Sequence, residues 1–100
     1  MKIYMNGRGN NAIGRYEDGK VTVLKGSIIS EHLSKNFVCQ KKVELLRNDK
    51  EYVDKNRRVL KNITFSSPST AAQFVKGYST NGWKCWKDEK GVALEKYKEI

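Results

Sequence analysis

The N-terminal part of the chain alternates between hydrophobic and polar residues, which is the pattern of β-strands. Residues 2–5 are typical of a short strand. Segments 12–16 and 20–24 flank Glu17-Asp18-Gly19, where Asp-Gly favours the left-handed conformations of a tight hairpin turn. The pattern therefore predicts one strand followed by a β-hairpin.

The middle of the chain shows a helical period. Asn36 or Ser34 can cap a helix that continues to Asn48. The apolar face at helical spacing consists of Cys39, Val43 and Leu46, with Val38, Lys42 and Leu45 at its margins. Lys41 and Arg47 fall outside this face, so we expect both side chains to point towards solvent.

A second pair of strands is predicted after this helix. Residues 51–54 and 58–65 are the two candidate strands, and Lys55-Asn56-Arg57 would join them. Hydrophobic residues in the longer segment follow an imperfect period of two, as expected for a strand with one buried face.

The block from Phe65 to Trp86 encodes a capped helix by several separate local rules. Ser67 is the expected N-cap, and Pro68 is the first helical residue, where its missing N–H costs nothing. Gly77 stands where a left-handed residue commonly ends a helix. The helix is therefore predicted to run from Pro68 to Lys76.

A turn and a strand are predicted beyond this helix. Asn81-Gly82 is a turn signal, and the strand after it would carry Trp83 with Cys85 on one face and Lys84 with Trp86 on the other. Residues 92–97 form a short final segment of helical character. Strands interrupted by single helices predict an α+β fold. We expect a small, mostly antiparallel sheet with one or two packed helices, in one domain spanning residues 1–100.

The net charge of the chain predicts a class of binding partner. The chain has 100 residues and a formal net charge of +9, and its lysines and arginines are divided evenly between the two halves. A folded body with that surplus carries a positive field that attracts polyanions, so DNA is the predicted partner. The competing interpretation is that the charge serves solubility alone.

Other classes of site find little support in the sequence. No apolar run reaches the roughly 20 residues of a membrane helix, and the first residues lack the apolar region of a secretory signal, so a cytoplasmic protein without membrane contact is expected. Cys39 and Cys85 lie far apart without neighbouring metal ligands, which predicts reduced thiols and no metal site. His32, the single histidine, has no nucleophile or carboxylate beside it, so neither catalytic residues nor a cofactor is predicted.

Basic, hydroxyl and aromatic side chains in the second half are the candidate DNA contacts. Lysine and arginine would bind phosphate, hydroxyls would add donors at a helix start, and a tryptophan could stack on an exposed base. The predicted nucleic-acid-binding residues are Lys55, Arg57, Arg58, Lys61, Ser67, Ser69, Lys84, Trp86 and Lys87. The open alternatives are helix capping for the serines, a core position for the tryptophan and a solvated turn for the arginines.

Several of these motifs occur together in a known family. They are Val23-Leu24-Lys25-Gly26-Ser27 after the early hairpin, Phe65-Ser66-Ser67-Pro68-Ser69-Thr70-Ala71-Ala72, Val75-Lys76-Gly77-Tyr78-Ser79-Thr80-Asn81-Gly82-Trp83 with Trp86, and Gly91-Val92-Ala93-Leu94. In this combination the chain resembles a family of bacterial domains of unknown function that are appended to GIY-YIG-type nucleases and to restriction-modification proteins. The block from Phe65 to Trp86 is also similar to the RAMA domain (restriction enzyme and adenine methylase associated), which is proposed to read modified DNA.

The resemblance implies an accessory, non-enzymatic role near DNA. Modified or foreign duplex is then the candidate target, and a nuclease or methyltransferase the candidate protein partner. The alternative is a protein-interaction module that docks onto such an enzyme or onto its own copy, with the basic charge incidental. Salt dependence separates the two, because binding to DNA phosphates weakens steeply with salt.

Overall fold

A four-stranded antiparallel sheet forms the centre of the fold. The computed structural model describes residues 1–7, 9–35, 37 and 40–98. The strands, adjacent in chain order, are β1 (Lys2–Gly7), β2 (Asn10–Glu17), β3 (Lys20–Val23) and β4 (Ile63–Phe65). Asp18 and Gly19 join β2 to β3 with φ angles of 50° and 79°, the two left-handed residues that a tight hairpin turn requires. The predicted first strand and hairpin are therefore confirmed.

One face of this sheet is buried against a helix. Side chains at alternate positions of every strand point to this face and are buried: Ile3, Met5, Ala12, Val21, Val23, Ile63 and Phe65. The helix α2 (Pro68–Lys76) packs against β2, β3 and β4, and the rings of Phe65 and Phe74 lie 5.2 Å apart. The fold is thus α+β, as the sequence predicts.

The helix α2 follows the local rules in its sequence. Ser67 has extended backbone angles, and its hydroxyl accepts the N–H of Thr70 at 3.2 Å. Gly77 ends the helix with a φ of 79° and donates its N–H to the carbonyl of Gln73. The predicted bounds, N-cap and C-terminal glycine are all confirmed.

The middle helix shows one clear departure from prediction. The helix α1 (Gln40–Asn48) ends where expected, but Arg47 is only 3% exposed instead of pointing to solvent. Its guanidinium donates to the carbonyl oxygens of Ser30 and His32, which lie in an irregular segment. A helical period cannot detect such acceptors. The predicted cap Asn36 and the face residues Val38 and Cys39 lie outside the described residues.

The predicted second pair of strands is mostly wrong. Within residues 51–62 only one antiparallel bridge, between Val53 and Val59, joins the two segments, and the chain otherwise forms turns. The end of the longer segment does form a strand, β4, but it pairs with β3. The charged and polar residues between Asp49 and Arg58 favour turns, in which the Asp54 carboxylate accepts the N–H groups of Asn56 and Arg58.

The strand predicted after Asn81-Gly82 is also wrong. Residues Gly82–Cys85 form a short helix, α3, and the Asn81 side chain caps it by accepting the N–H of Trp83 at 3.0 Å. Asparagine favours helix N-caps as well as turns, and here Asn81 is an N-cap. Trp86 follows α3 and is fully buried, with Nε1 donating to the Pro68 carbonyl at 3.1 Å.

The last described element is a 3-10 helix, Leu94–Tyr97, which agrees with the helical character predicted for residues 92–97. Leu94 is buried and its N–H donates to the Trp86 carbonyl, so this turn closes the core beside α3. Within the described ranges, no helix combines the length and apolarity needed to cross a lipid bilayer.

Candidate nucleic-acid interface

Among the residues that the structure describes, no helix covers the second face of the sheet. Strand alternation points one set of side chains away from the buried face, and these are exposed or half-buried: Lys2, Tyr4, Ile13, Arg15, Glu17, Lys20, Thr22 and Thr64. We call this surface the open face. It combines cations with an aromatic ring and hydroxyls, which suits contact with a polar, anionic partner.

A single row of side chains crosses all four strands of the open face. Lys2 lies opposite Arg15, Arg15 opposite Thr22, and Thr22 opposite Thr64. The two threonine hydroxyls are hydrogen-bonded at 2.8 Å. Lys2 and Arg15 are like charges at directly opposed positions, which is unfavourable for the sheet. In the described part of the chain neither cation has a carboxylate within ion-pair distance.

Two of the predicted contact residues lie at the margins of the open face. Lys87 forms an antiparallel bridge with Tyr4 beyond β1, and Arg58 bridges Ile28, which in turn bridges Asn11 of β2. Bridged residues project on the same side of a sheet, so both cations belong to the open face. Both side chains are exposed.

Acidic residues interrupt the positive charge at two places. Glu17 and Asp18 stand at the hairpin end, beside Lys20. Next to Lys87, hydrogen bonds from the Tyr97 hydroxyl at 2.5 Å and from backbone N–H groups hold the pKa of Asp88 below its usual value, so this carboxylate stays ionised. These acids also lie near the row that begins with Lys2 and Arg15, because Arg15 lines a depression with Glu17 and Asp18, and Lys2 lines one with Asp88 and Glu89.

The predicted basic cluster at residues 55–61 is divided by the fold. Lys55 and Arg57 line a separate depression near the end of α1, described below, whereas Arg58 joins the open face. Lys61 is already engaged: its Nζ lies 3.3 Å from a Glu51 carboxylate oxygen and over the ring of Tyr52. Lys61 is thus less available to phosphate than its neighbours.

The two predicted serines are occupied by structural roles. Ser67 caps α2, and its Oγ is also hydrogen-bonded to the Thr70 hydroxyl. The hydroxyl of Ser69 accepts the N–H of Gly82, which attaches α3 to the start of α2. Both hydroxyls serve helix ends, the capping interpretation that the sequence left open.

The tryptophans do not form the predicted stacking surface. Trp86 is 0% exposed, so it presents no face to a base and is excluded as a contact. Trp83 is half-buried, but Tyr16 packs against its ring edge-to-face at 5.7 Å and Lys98 Nζ lies 5.0 Å above it. Lys84 is exposed on α3, in the helical layer away from the open face.

Sequence reasoning missed Lys2, Arg15 and Lys20 as members of one surface. A signal was present, because Lys2, Arg15 and Lys20 each occupy a polar position of one of the three predicted N-terminal strands, beside apolar residues. The predicted contacts followed the local density of charge between Lys55 and Lys61, which does not depend on this alternation. The open face is thus set mainly by the first two strands.

One comparison with known proteins identifies a family of domains of unknown function. The model of the family described as "Domain of unknown function (DUF4357)" matches residues 3–98, nearly the whole chain. No curated protein and no solved structure matches the chain significantly. The match covers the described strands except the first residue of β1, together with α1, α2 and α3, so the chain belongs to the DUF4357 family of domains of unknown function.

Proposed function

We propose that this domain is a non-enzymatic accessory module that binds duplex DNA through the open face. The observation that carries the proposal is the opposition of Lys2 and Arg15 across β1 and β2. Two like charges at opposed positions weaken a sheet, and a polyanion lying over them would convert that repulsion into attraction. Lys20, Arg58 and Lys87 would extend the same contact along the face.

The polar residues around these cations support the assignment. Thr22, Thr64 and Tyr4 supply hydroxyl groups, which commonly bind phosphate and sugar oxygens and so fix a protein's position on DNA. The net charge of +9 adds a long-range attraction that is independent of DNA sequence. On the resemblance to the RAMA domain, the context that we propose is a restriction or nuclease system, with modified or foreign duplex as the target.

The test is a charge reversal that spares the fold. Arg15→Glu places a carboxylate opposite Lys2, which should leave stability unchanged or raise it, because opposite charges favour cross-strand pairing. Duplex binding, measured by fluorescence anisotropy over a salt series, should weaken. The slope of log K against log salt should become shallower by about 0.9 for each phosphate that the variant no longer neutralises.

A matched control removes the effect of net charge. Lys41→Glu changes the charge by the same amount on the exposed surface of α1, away from the open face. It should weaken binding less than Arg15→Glu does. Equal weakening in both variants would mean that DNA binding depends on the net charge of the protein and not on the open face. Salt-insensitive association, or none with duplex, would refute DNA binding and favour docking onto a nuclease, a methyltransferase or a second copy.

A further inference from the structure

A second cluster of cations lies around an open depression of about 510 Å3, at the end of α1 and apart from the row of Lys2 and Arg15. Its volume falls within the range of small-ligand sites. The residues that line it are Arg47, Asn48, Lys50, Val53, Asp54, Lys55 and Arg57. Four of these are cations and one is a carboxylate, so the depression is strongly positive.

The structure leaves these four cations without a neutralising partner. Among the residues that it describes, none of Arg47, Lys50, Lys55 and Arg57 lies within ion-pair distance of a carboxylate. Asp54, which lines the same depression, turns its Oδ1 to the backbone N–H groups of Asn56 and Arg58 at 2.8 and 3.0 Å. The carbonyl end of α1 carries a partial charge of only about half a unit, which cannot balance four cations.

Among the four cations, Arg47 gives the strongest argument that the cluster binds an anion. It is buried, its terminal nitrogens donate to neutral oxygens of Ser30 and His32, and its Nε is buried with no hydrogen-bond partner. Burial, and after it the charge of Arg57, lower the pKa of Arg47 to about 10, so it still carries its proton at neutral pH. A buried cation that faces another cation is stabilised by an added anion.

Arg57 is held in an unusual backbone conformation. Its φ of 66° lies in the left-handed region, which non-glycine residues seldom adopt and which asparagine tolerates better than arginine. The backbone of Arg57 is fixed there, because its N–H donates to Asp54 and its carbonyl accepts the N–H of Ile29. With the residues that the structure describes, the Arg57 side chain makes no ion pair, so its charge is free to meet a ligand. Strain of this kind is often retained at binding sites.

We propose that this depression binds a phosphate group, with Arg57, Lys50 and Lys55 as its donors and the buried charge of Arg47 beside them. Guanidinium and ammonium groups are the side chains that bind phosphate oxygens most strongly. The phosphate can belong to a nucleic-acid backbone or to a small phosphorylated molecule. The proposal does not rest on the proposed function, because inorganic phosphate tests it without any DNA.

The experiment is a titration with inorganic phosphate at constant ionic strength, followed by the backbone amide shifts of the protein. Saturable shifts confined to residues 47–58 are expected. Arg57→Asn should weaken phosphate binding roughly tenfold or more, the loss expected for a charge-assisted hydrogen bond. The same variant should be at least as stable as the natural protein, because asparagine adopts a positive φ more readily.

Lys41→Gln is the matched control, since it removes an exposed cation of α1 that belongs neither to the depression nor to the open face. It should leave phosphate binding unchanged. Lys50→Gln provides a second variant that should weaken it. Phosphate binding that is unaffected by Arg57→Asn and Lys50→Gln, or shifts that do not saturate, would overturn the proposal.

Competition experiments identify the source of the phosphate. Displacement of inorganic phosphate by duplex DNA would assign the site to a nucleic-acid backbone. Displacement by a nucleoside monophosphate but not by duplex would assign it to a small molecule. Loss of DNA binding in Arg15→Glu with intact phosphate binding would show that the two surfaces act separately.

Discussion

At the scale of single residues, the structure departs from the sequence pattern where a charged side chain is buried. Arg47 occupies a polar position of the helical period, yet it connects α1 to the segment that contains Ser30 and His32. The same segment contacts the end of α2: a Cβ at Gly77 would lie 1.8 Å from the His32 carbonyl oxygen. These backbone acceptors carry no side-chain signal, so no sequence rule could have assigned Arg47 to them.

We therefore expect Arg47→Ala to lower the free energy of unfolding by about 2–4 kcal/mol, because it leaves a cavity and removes the donors of two carbonyl groups. Urea denaturation measures this loss. Lys41→Ala, at an exposed position of the same helix, should change stability by about 0.5 kcal/mol or less. Similar effects of the two substitutions would mean that the Arg47 contacts are not needed for stability.

At the scale of elements, the predicted secondary structure was correct where the sequence signal for it was local. Ser67, Pro68 and Gly77 define α2 within its own sequence, and Asp18-Gly19 defines the hairpin, so both were predicted with correct bounds or turn chemistry. Asn81-Gly82 is ambiguous, because the same pair suits a hairpin turn and a helix start. Contact with another element decides it: the N–H of Gly82 donates to Ser69 at the first turn of α2.

Gly82→Ala tests whether this contact or helix propensity dominates. Alanine is favoured over glycine inside a helix by about 1 kcal/mol, so propensity alone predicts stabilisation. A Cβ at Gly82 would lie 2.1 Å from the Pro68 carbonyl oxygen, a clash that requires α3 to move from α2. We expect a net loss of about 2–3 kcal/mol in thermal or urea unfolding.

Gly26→Ala is the comparison for this substitution, since its added Cβ would meet nothing within 4 Å although its φ is 96°. It should cost only backbone strain, about 1 kcal/mol. Stabilisation by Gly82→Ala would show that α3 tolerates displacement and that the close approach is not a constraint.

At the scale of the whole molecule, composition predicted the sign of the charge but not its arrangement. The fold places some of the cations on the open face and four around the depression of Arg47 and Arg57, while others, such as Lys41 and Lys84, lie on neither surface. Strand alternation contains the signal for Lys2, Arg15 and Lys20, although these residues were not predicted as contacts. The second set depends on turns between Asp49 and Arg58, where the sequence predicted a strand at residues 51–54 and a connection at Lys55-Asn56-Arg57. Its members are therefore close in space for reasons that a periodic pattern does not contain.

Unneutralised charge of this size should make stability depend on salt. The protein measures 37 × 27 × 24 Å, and electrostatic screening acts over about 30 Å at 0.01 M salt but about 10 Å at 0.1 M. At low salt every cation therefore repels every other, whereas at the higher concentration only neighbours interact. Because the net charge is +9, the free energy of unfolding should rise on the order of 1 kcal/mol between these conditions.

Urea denaturation in sodium chloride measures this rise, and sodium phosphate at equal ionic strength separates screening from binding. Screening depends only on ionic strength, so chloride and phosphate should act alike unless phosphate occupies the Arg47–Arg57 depression. We expect phosphate to stabilise the protein beyond chloride, with the excess abolished in Arg57→Asn and kept in Lys41→Gln. A fall in stability on adding chloride would instead mean that attractive pairs such as Lys61–Glu51 outweigh the repulsion.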